Sequence, residues 1–190
     1  MKQPKLKPMT LPEVKAELAE TARIGTVFMD GDLCHKMLRP YAVNFLDGDD
    51  FDLDPEGCVP IKKTLIRIER VSRVRCVTAV WRRRPDVPDC GEPLLFGSYS
   101  AVEGPSKISA RYKPGAMFPA LRRALADGKP GWKITRCSQP ILVTRGFAQP
   151  VSDGSEGRVV ACFVPIRDSM GDIAAALEVY AYLVSPDAVV

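Results

Sequence analysis

The sequence of 190 residues contains a single histidine, His35, and its six cysteines are scattered along the chain. No two cysteines are close enough for a Cys-x-x-Cys pair, the usual spacing of structural zinc ligands. Nucleophile-elbow and glycine-rich phosphate-loop motifs are also missing. We therefore predict no metal site, no cofactor and no catalytic residue, and we favour a protein without chemistry of its own.

The cysteines are best interpreted as reduced, small apolar side chains, because scattered thiols are typical of proteins in a reducing compartment. Cys34 and His35 are adjacent, which leaves open a metal-binding or nucleophilic pair. Neighbouring residues of a helix point about 100° apart, however, and would not converge on one atom.

Long apolar runs are missing too, since no stretch approaches the roughly 18 residues of a membrane-spanning helix. The basic N-terminus, Met1 to Pro8, is not followed by the apolar region of a secretory signal. The net charge is only +4, from 27 basic and 23 acidic residues, too small an excess to predict nucleic-acid binding. We expect a cytoplasmic protein without membrane or nucleic-acid partners.

Two charged segments allow more than one interpretation. Arg82-Arg83-Arg84 precedes a stretch rich in proline and aspartate, which favours a solvated strand end over an anion or phosphate contact. Residues 44–58 are rich in aspartate, but an EF-hand loop needs glycine at its sixth position, where the best register has Pro55. A solvated loop is therefore favoured over a calcium site.

Three helices are predicted in the first part of the chain. Thr10 and Glu13 form a capping box, and the helix that follows is expected to stop at Gly25. A second helix is predicted from about Asp32 and a third from Pro60. The apolar stripe of the first helix consists of Leu11, Val14, Leu18 and Ala22.

The remainder of the chain has strand patterns and one short amphipathic helix from Met117 to about Gly128. The last strand also suits a helix by propensity, but its alternating apolar residues favour a strand. This order predicts an α+β fold with an antiparallel sheet of about five strands and helices on one face. The predicted strands cover residues 74–81, 94–100, 132–143 with an interruption at Pro140, 159–166 and 173–184.

The segment Val164 to Val179 resembles Cache and PAS-like sensory domains, in which a strand ending in Pro-Ile leads through an Asp-x-x-Gly turn into a strand of small residues. Residues 118–129 are similar to the helix that precedes the last three strands of those domains. In layout the resemblance covers residues 60–184. It divides the chain into an N-terminal helical extension with the acidic loop, residues 1–59, and a sensory domain, residues 60–190, which we expect to pack as one unit.

The resemblance implies a non-catalytic sensory module that binds a small carboxylate or amino acid between the sheet and a short crossing helix. It implies ligand contacts at Arg111 and Tyr112 before that helix, at Arg136 and at Tyr180, where an arginine would clamp a carboxylate. Surface arginines and a half-buried tyrosine are the alternative interpretation. Family members often dimerise through an N-terminal helix, so a homodimer is also implied.

Most members lie between two membrane-spanning helices and carry an output domain. Neither is found in this sequence, so the module would act through a partner or through dimerisation. Two other functions stay open. A small lyase or transferase would use Arg111 and Arg136 to hold an anionic metabolite, and a scaffold protein would use the N-terminal helices only to dimerise.

Overall fold

A computed structural model describes the helices and strands in eight segments of the chain. The predicted contacts Arg111 and Tyr112 lie outside these segments, as does Arg84. The described residues are 10–36, 55–74, 76–83, 89–97, 117–137, 141–144, 147–150 and 157–183.

The helices of the described segments are α1 (Leu11–Phe28), α2 (Gly31–Lys36), α3 (Pro55–Val71) and α4 (Pro119–Leu125). The predicted capping box at the start of α1 is confirmed. The amide of Thr10 donates to the Glu13 carboxylate at 2.7 Å, and the amide of Glu13 donates to the Thr10 hydroxyl at 3.5 Å. Within the described segments, no helix is both long enough and apolar enough to cross a bilayer.

Two predicted helix boundaries were wrong. Helix α3 begins at Pro55, so Pro60 lies inside it, in the second turn, where its missing amide hydrogen removes one hydrogen bond of the helix. Helix α1 continues past Gly25, because this glycine allows close packing and does not end the helix. A β-carbon at Gly25 would come within 2.6 Å of Cδ2 of Leu177.

The main sheet of the described segments is antiparallel. The predicted α+β class and antiparallel sheet are therefore confirmed, and so is the assignment of the last segment as a strand. The strands of the main sheet are β1 (Val77–Arg83), β2 (Gly91–Phe96), β3 (Gly131–Cys137), β6 (Gly157–Arg167) and β7 (Ile173–Leu183), hydrogen-bonded in the order β2-β1-β7-β6-β3. Strands β4 (Ile141–Thr144) and β5 (Phe147–Pro150) form a separate hairpin.

The predicted strand over residues 132–143, with its interruption at Pro140, is divided into two strands that belong to different sheets. Strand β3 ends at Cys137, and Ile141 begins the first strand of the separate hairpin. Pro140 explains the division, because proline has no amide hydrogen with which to continue a ladder. The partner strand of the hairpin, β5, was not predicted because its four residues show no clear alternation.

Helices cover both faces of the main sheet, which corrects the prediction that they share one face. Helices α1, α2 and α3 pack on what we call the α1 face, with Leu177 and Val179 of β7. Helix α4 packs on the opposite side, the α4 face, with Ala176 and Tyr180 of the same strand. Because β7 is central, both sets of alternating residues are buried.

The turn between β6 and β7 has the predicted geometry. Gly171 has a φ of 89°, a left-handed conformation that glycine adopts without strain. Asp168 holds the turn by accepting hydrogen bonds from the amides of Met170 at 3.0 Å and Asp172 at 2.9 Å. This turn fixes the register of the two longest strands.

Candidate functional site

A carboxylate lies at the centre of the α4 face. In the ladders Glu178 of β7 is opposite Ala79 of β1 and Phe163 of β6, and its side chain has no exposed surface. It accepts a hydrogen bond from the indole Nε1–H of Trp81 at 2.7 Å. Burial of a carboxylate is costly unless partners compensate for the lost water. Glu178 is therefore the most unusual side chain of the described core.

Three aromatic rings pack edge to face on the same side of the sheet as this carboxylate. The ring centroids of Phe118 and Phe163 are 5.2 Å apart, and those of Trp81 and Phe118 are 6.0 Å apart with an interplanar angle of 86°. Trp81 and Phe163 are 6.5 Å apart. Aromatic rings carry negative charge on their faces. The carboxylate and the rings together make an environment that favours a cation.

Lys133 of β3 supplies a cation to this environment. Its Nζ lies 4.2 Å from the ring centroid of Phe118, a distance typical of a cation–π contact. Burial lowers the pKa of the Lys133 ammonium, and the Glu178 carboxylate opposes that shift. We call the whole group the acidic aromatic cluster; it consists of Trp81, Phe118, Lys133, Phe163, Glu178 and Tyr180.

Small residues make room for the acidic aromatic cluster. Short side chains on the strands let α4 approach the sheet closely, and alanines on α4 itself meet them from the other side. Gly131 allows its strand to lie against α4, since a β-carbon there would lie 2.1 Å from the carbonyl oxygen of Ala120. The buried alanines of this layer are Ala79, Ala120, Ala124, Ala161 and Ala176.

One predicted ligand contact, Tyr180, belongs to this cluster. It is fully buried on the α4 face, two residues along β7 from Glu178. Arg136 lies on β3 opposite Arg158, with β6 between its strand and β7. The predicted contacts Arg111 and Tyr112 lie outside the described residues. Ligand contact by any of the four stays a prediction.

The sequence did not reveal Glu178, Trp81 and Lys133 as a group. One available signal was the lone carboxylate of Glu178 in an otherwise apolar strand. The hydrogen bond from Trp81 joins residues 97 positions apart, and Lys133 comes from a third strand. No local spacing pattern predicts contacts of this kind.

Side chains fill the described space between α4 and the sheet. Trp81 is 4% exposed, and Leu121 and Phe163 are fully buried. Met117 and Phe118, just before α4, are only half-buried.

Cys34 and His35 of α2 do not form a reactive pair. Burial, with a smaller effect of the Asp30 carboxylate, raises the pKa of the Cys34 thiol to about 12. His35 is exposed, and its Nε2 lies 3.1 Å from Oδ2 of Asp168. Within the described segments, no group of three His, Cys, Asp or Glu residues is arranged to hold a metal ion.

No model of a known protein family matches the chain, and no curated protein is significantly similar to it. The function is therefore inferred from the chemistry and geometry of the acidic aromatic cluster.

We predict that the buried thiols resist alkylation while the protein is folded. Burial raises the pKa of Cys76 and Cys162 to about 12, as it does for Cys34, so almost no thiolate forms near neutral pH. In native protein treated with iodoacetamide, peptide mass spectrometry should find Cys34, Cys76, Cys90 and Cys162 unmodified. The same cysteines should react in guanidinium chloride, whereas fast native labelling of Cys34 would contradict its assignment as an apolar core residue.

Proposed function

We propose that the chain is a non-catalytic sensory module of the PAS or Cache type, and that it binds a free amino acid through the ammonium group of the ligand. The observation that carries this proposal is the fully buried carboxylate of Glu178 among three aromatic rings, with a lysine ammonium 4.2 Å from one ring centroid. The α+β fold with a helix crossing an antiparallel sheet is compatible with this type of module.

The chemistry of the acidic aromatic cluster suits an ammonium ion. A carboxylate forms charge-assisted hydrogen bonds with it, and aromatic faces attract it, most strongly when water is excluded. The cluster is less easily explained by stability alone, because a buried ion pair contributes little compared with apolar residues of similar volume. Recognition of a cation gives a reason for a carboxylate at this position.

Lys133 acts in this proposal as a tethered substitute for the ligand. Its ammonium lies on Phe118 and interacts with Glu178 when no ligand is bound. An incoming ammonium takes the same place and releases Lys133 towards solvent. Lys133 is already half-buried on an edge strand of the described sheet, so its long side chain can extend to solvent once it is released.

The proposed site narrows the ligand class implied by the family resemblance. A simple carboxylate without an ammonium group would be repelled by Glu178, whereas an amino acid offers both charges. Arg111 and Tyr112 precede α4 in the sequence, and the resemblance gives them the role of holding the ligand carboxylate. An arginine suits that role because its guanidinium can pair with both carboxylate oxygens.

The structural change caused by ligand binding would reach the rest of the protein through the start of α4. Phe118 is the N-cap of this helix and makes no side-chain cap hydrogen bond, and the amide of Met117 donates to the Asp89 carbonyl at 3.0 Å. A ligand ammonium that replaces Lys133 on the Phe118 ring therefore acts on both α4 and the segment before β2. A partner or a second copy of the chain would detect this movement.

We expect free amino acids or simple amines to raise the melting temperature of the protein. At roughly 100 times its Kd, a ligand adds about 2.7 kcal/mol to the free energy of unfolding. Each amino acid should be compared with its N-acetyl derivative, which keeps the carboxylate and loses the ammonium charge. Only the free amino acid should stabilise the protein.

Substitutions test whether stabilisation by the ligand depends on the acidic aromatic cluster or only on the net charge of the protein. Glu178→Gln keeps the shape and the acceptor for Trp81 but should abolish stabilisation, while Glu20→Gln, on the exposed side of α1, should leave it unchanged. Lys133→Met removes the competing cation and should tighten the binding of simple amines by roughly two- to fivefold. Equal stabilisation of the wild type and Glu178→Gln would refute the proposal.

The homodimer proposal requires a different surface from the apolar stripe of α1. Val14, Leu18 and Ala22 are fully buried within the chain, whereas Val27 and Phe28 at the end of α1 are 73% and 68% exposed. Sedimentation should give a dimer for the wild type and a monomer for the double substitution Val27→Ser and Phe28→Ser. If the wild type sediments as a monomer at all concentrations, the homodimer proposal is wrong and the module would have to act through a separate partner protein.

A further inference from the structure

A second cleft lies at the end of β1, apart from the acidic aromatic cluster. It has a volume of about 360 Å³ and is open to solvent. Its walls come from α2, the end of β1, the end of α4 and the start of β7. The cleft is large enough for a small organic molecule.

Basic side chains lie in the described lining of this cleft. Arg82 and Arg83 line it from β1, and His35 lines it from α2. Successive strand residues point to opposite faces, so the two arginines reach the end of the sheet from its two sides. Among the described residues of the lining, none is acidic. The remaining walls are apolar and include Leu125 and Ile173.

The position of His35 is fixed by the turn between β6 and β7. Nε2 of His35 lies 3.1 Å from Oδ2 of Asp168, whose other carboxylate oxygen accepts the amides of Met170 and Asp172. The desolvation of Asp168 would raise its pKa, but these amides and His35 outweigh it and the pKa is lowered. The carboxylate therefore stays charged and holds the imidazole at the wall of the cleft.

We propose that this cleft binds a small compound that carries a phosphate monoester on an apolar body. A guanidinium group matches the oxygens of a phosphate by paired hydrogen bonds, and the arginines that line the cleft from the two sides of the sheet place positive charge on both sides of a bound phosphate. Leu125 and Ile173 provide an apolar surface for the rest of the molecule. This inference explains the Arg82-Arg83 run and does not depend on the amino-acid site.

Phenyl phosphate is a suitable probe because it joins a phosphate monoester to an apolar ring. Calorimetry should show that it binds more tightly than inorganic phosphate, since only the ester uses the apolar wall. Arg83→Gln should weaken binding about tenfold, the effect of losing one hydrogen-bonded charge. Arg67→Gln, which removes an equal charge from the exposed side of α3, is the matched control and should not change affinity.

The single histidine provides a second measurement that needs no variant. The imidazole signals of His35 are unique in the NMR spectrum and should shift as phenyl phosphate is added. The inference is overturned if these signals stay unchanged at saturation, or if Arg83→Gln and Arg67→Gln bind equally well. If a phosphotyrosine peptide binds more tightly than phenyl phosphate, the proposal of a small compound is wrong and the ligand of the cleft is a phosphorylated protein.

Discussion

The hydrogen bond between Trp81 and Glu178 is the constraint on which the α4 face depends. It joins two adjacent strands at the centre of the sheet and satisfies a carboxylate that has no contact with solvent. Without a donor, that carboxylate would oppose folding by several kcal/mol, in line with the measured cost of an unpaired buried charge. The indole is therefore held in one orientation, and the other rings pack around it.

The rest of this layer follows from that arrangement. Alanines on β1, β6 and β7 leave space for the large rings, and alanines on α4 let the helix lie close above them. Lys133 reaches in from the edge strand because a negative charge and an aromatic face attract it. The same physical attraction would hold the ammonium group of an amino acid, which links the packing of the fold to the proposed function.

Local patterns in the sequence predicted much of the fold. The capping box of Thr10 and Glu13, the alternation of β7 and the Asp168–Gly171 turn depend on neighbouring residues, and all three are present. Gly25 was misassigned because its role is set by Leu177, a distant residue. The placement of α4 on the opposite face and the meeting of Trp81 with Glu178 depend on strand order, which spacing along the chain does not encode.

The most direct test of the amino-acid site is the NMR chemical shift of the Lys133 side-chain protons, measured with and without an amino acid. In the free protein the ring current of Phe118 should move the methylene signals next to Nζ upfield, because the ammonium lies close to the ring. Binding of an amino acid should return these signals to the ordinary position of a solvated lysine. Signals that stay upfield in the complex would contradict the displacement of Lys133 and the site built on it.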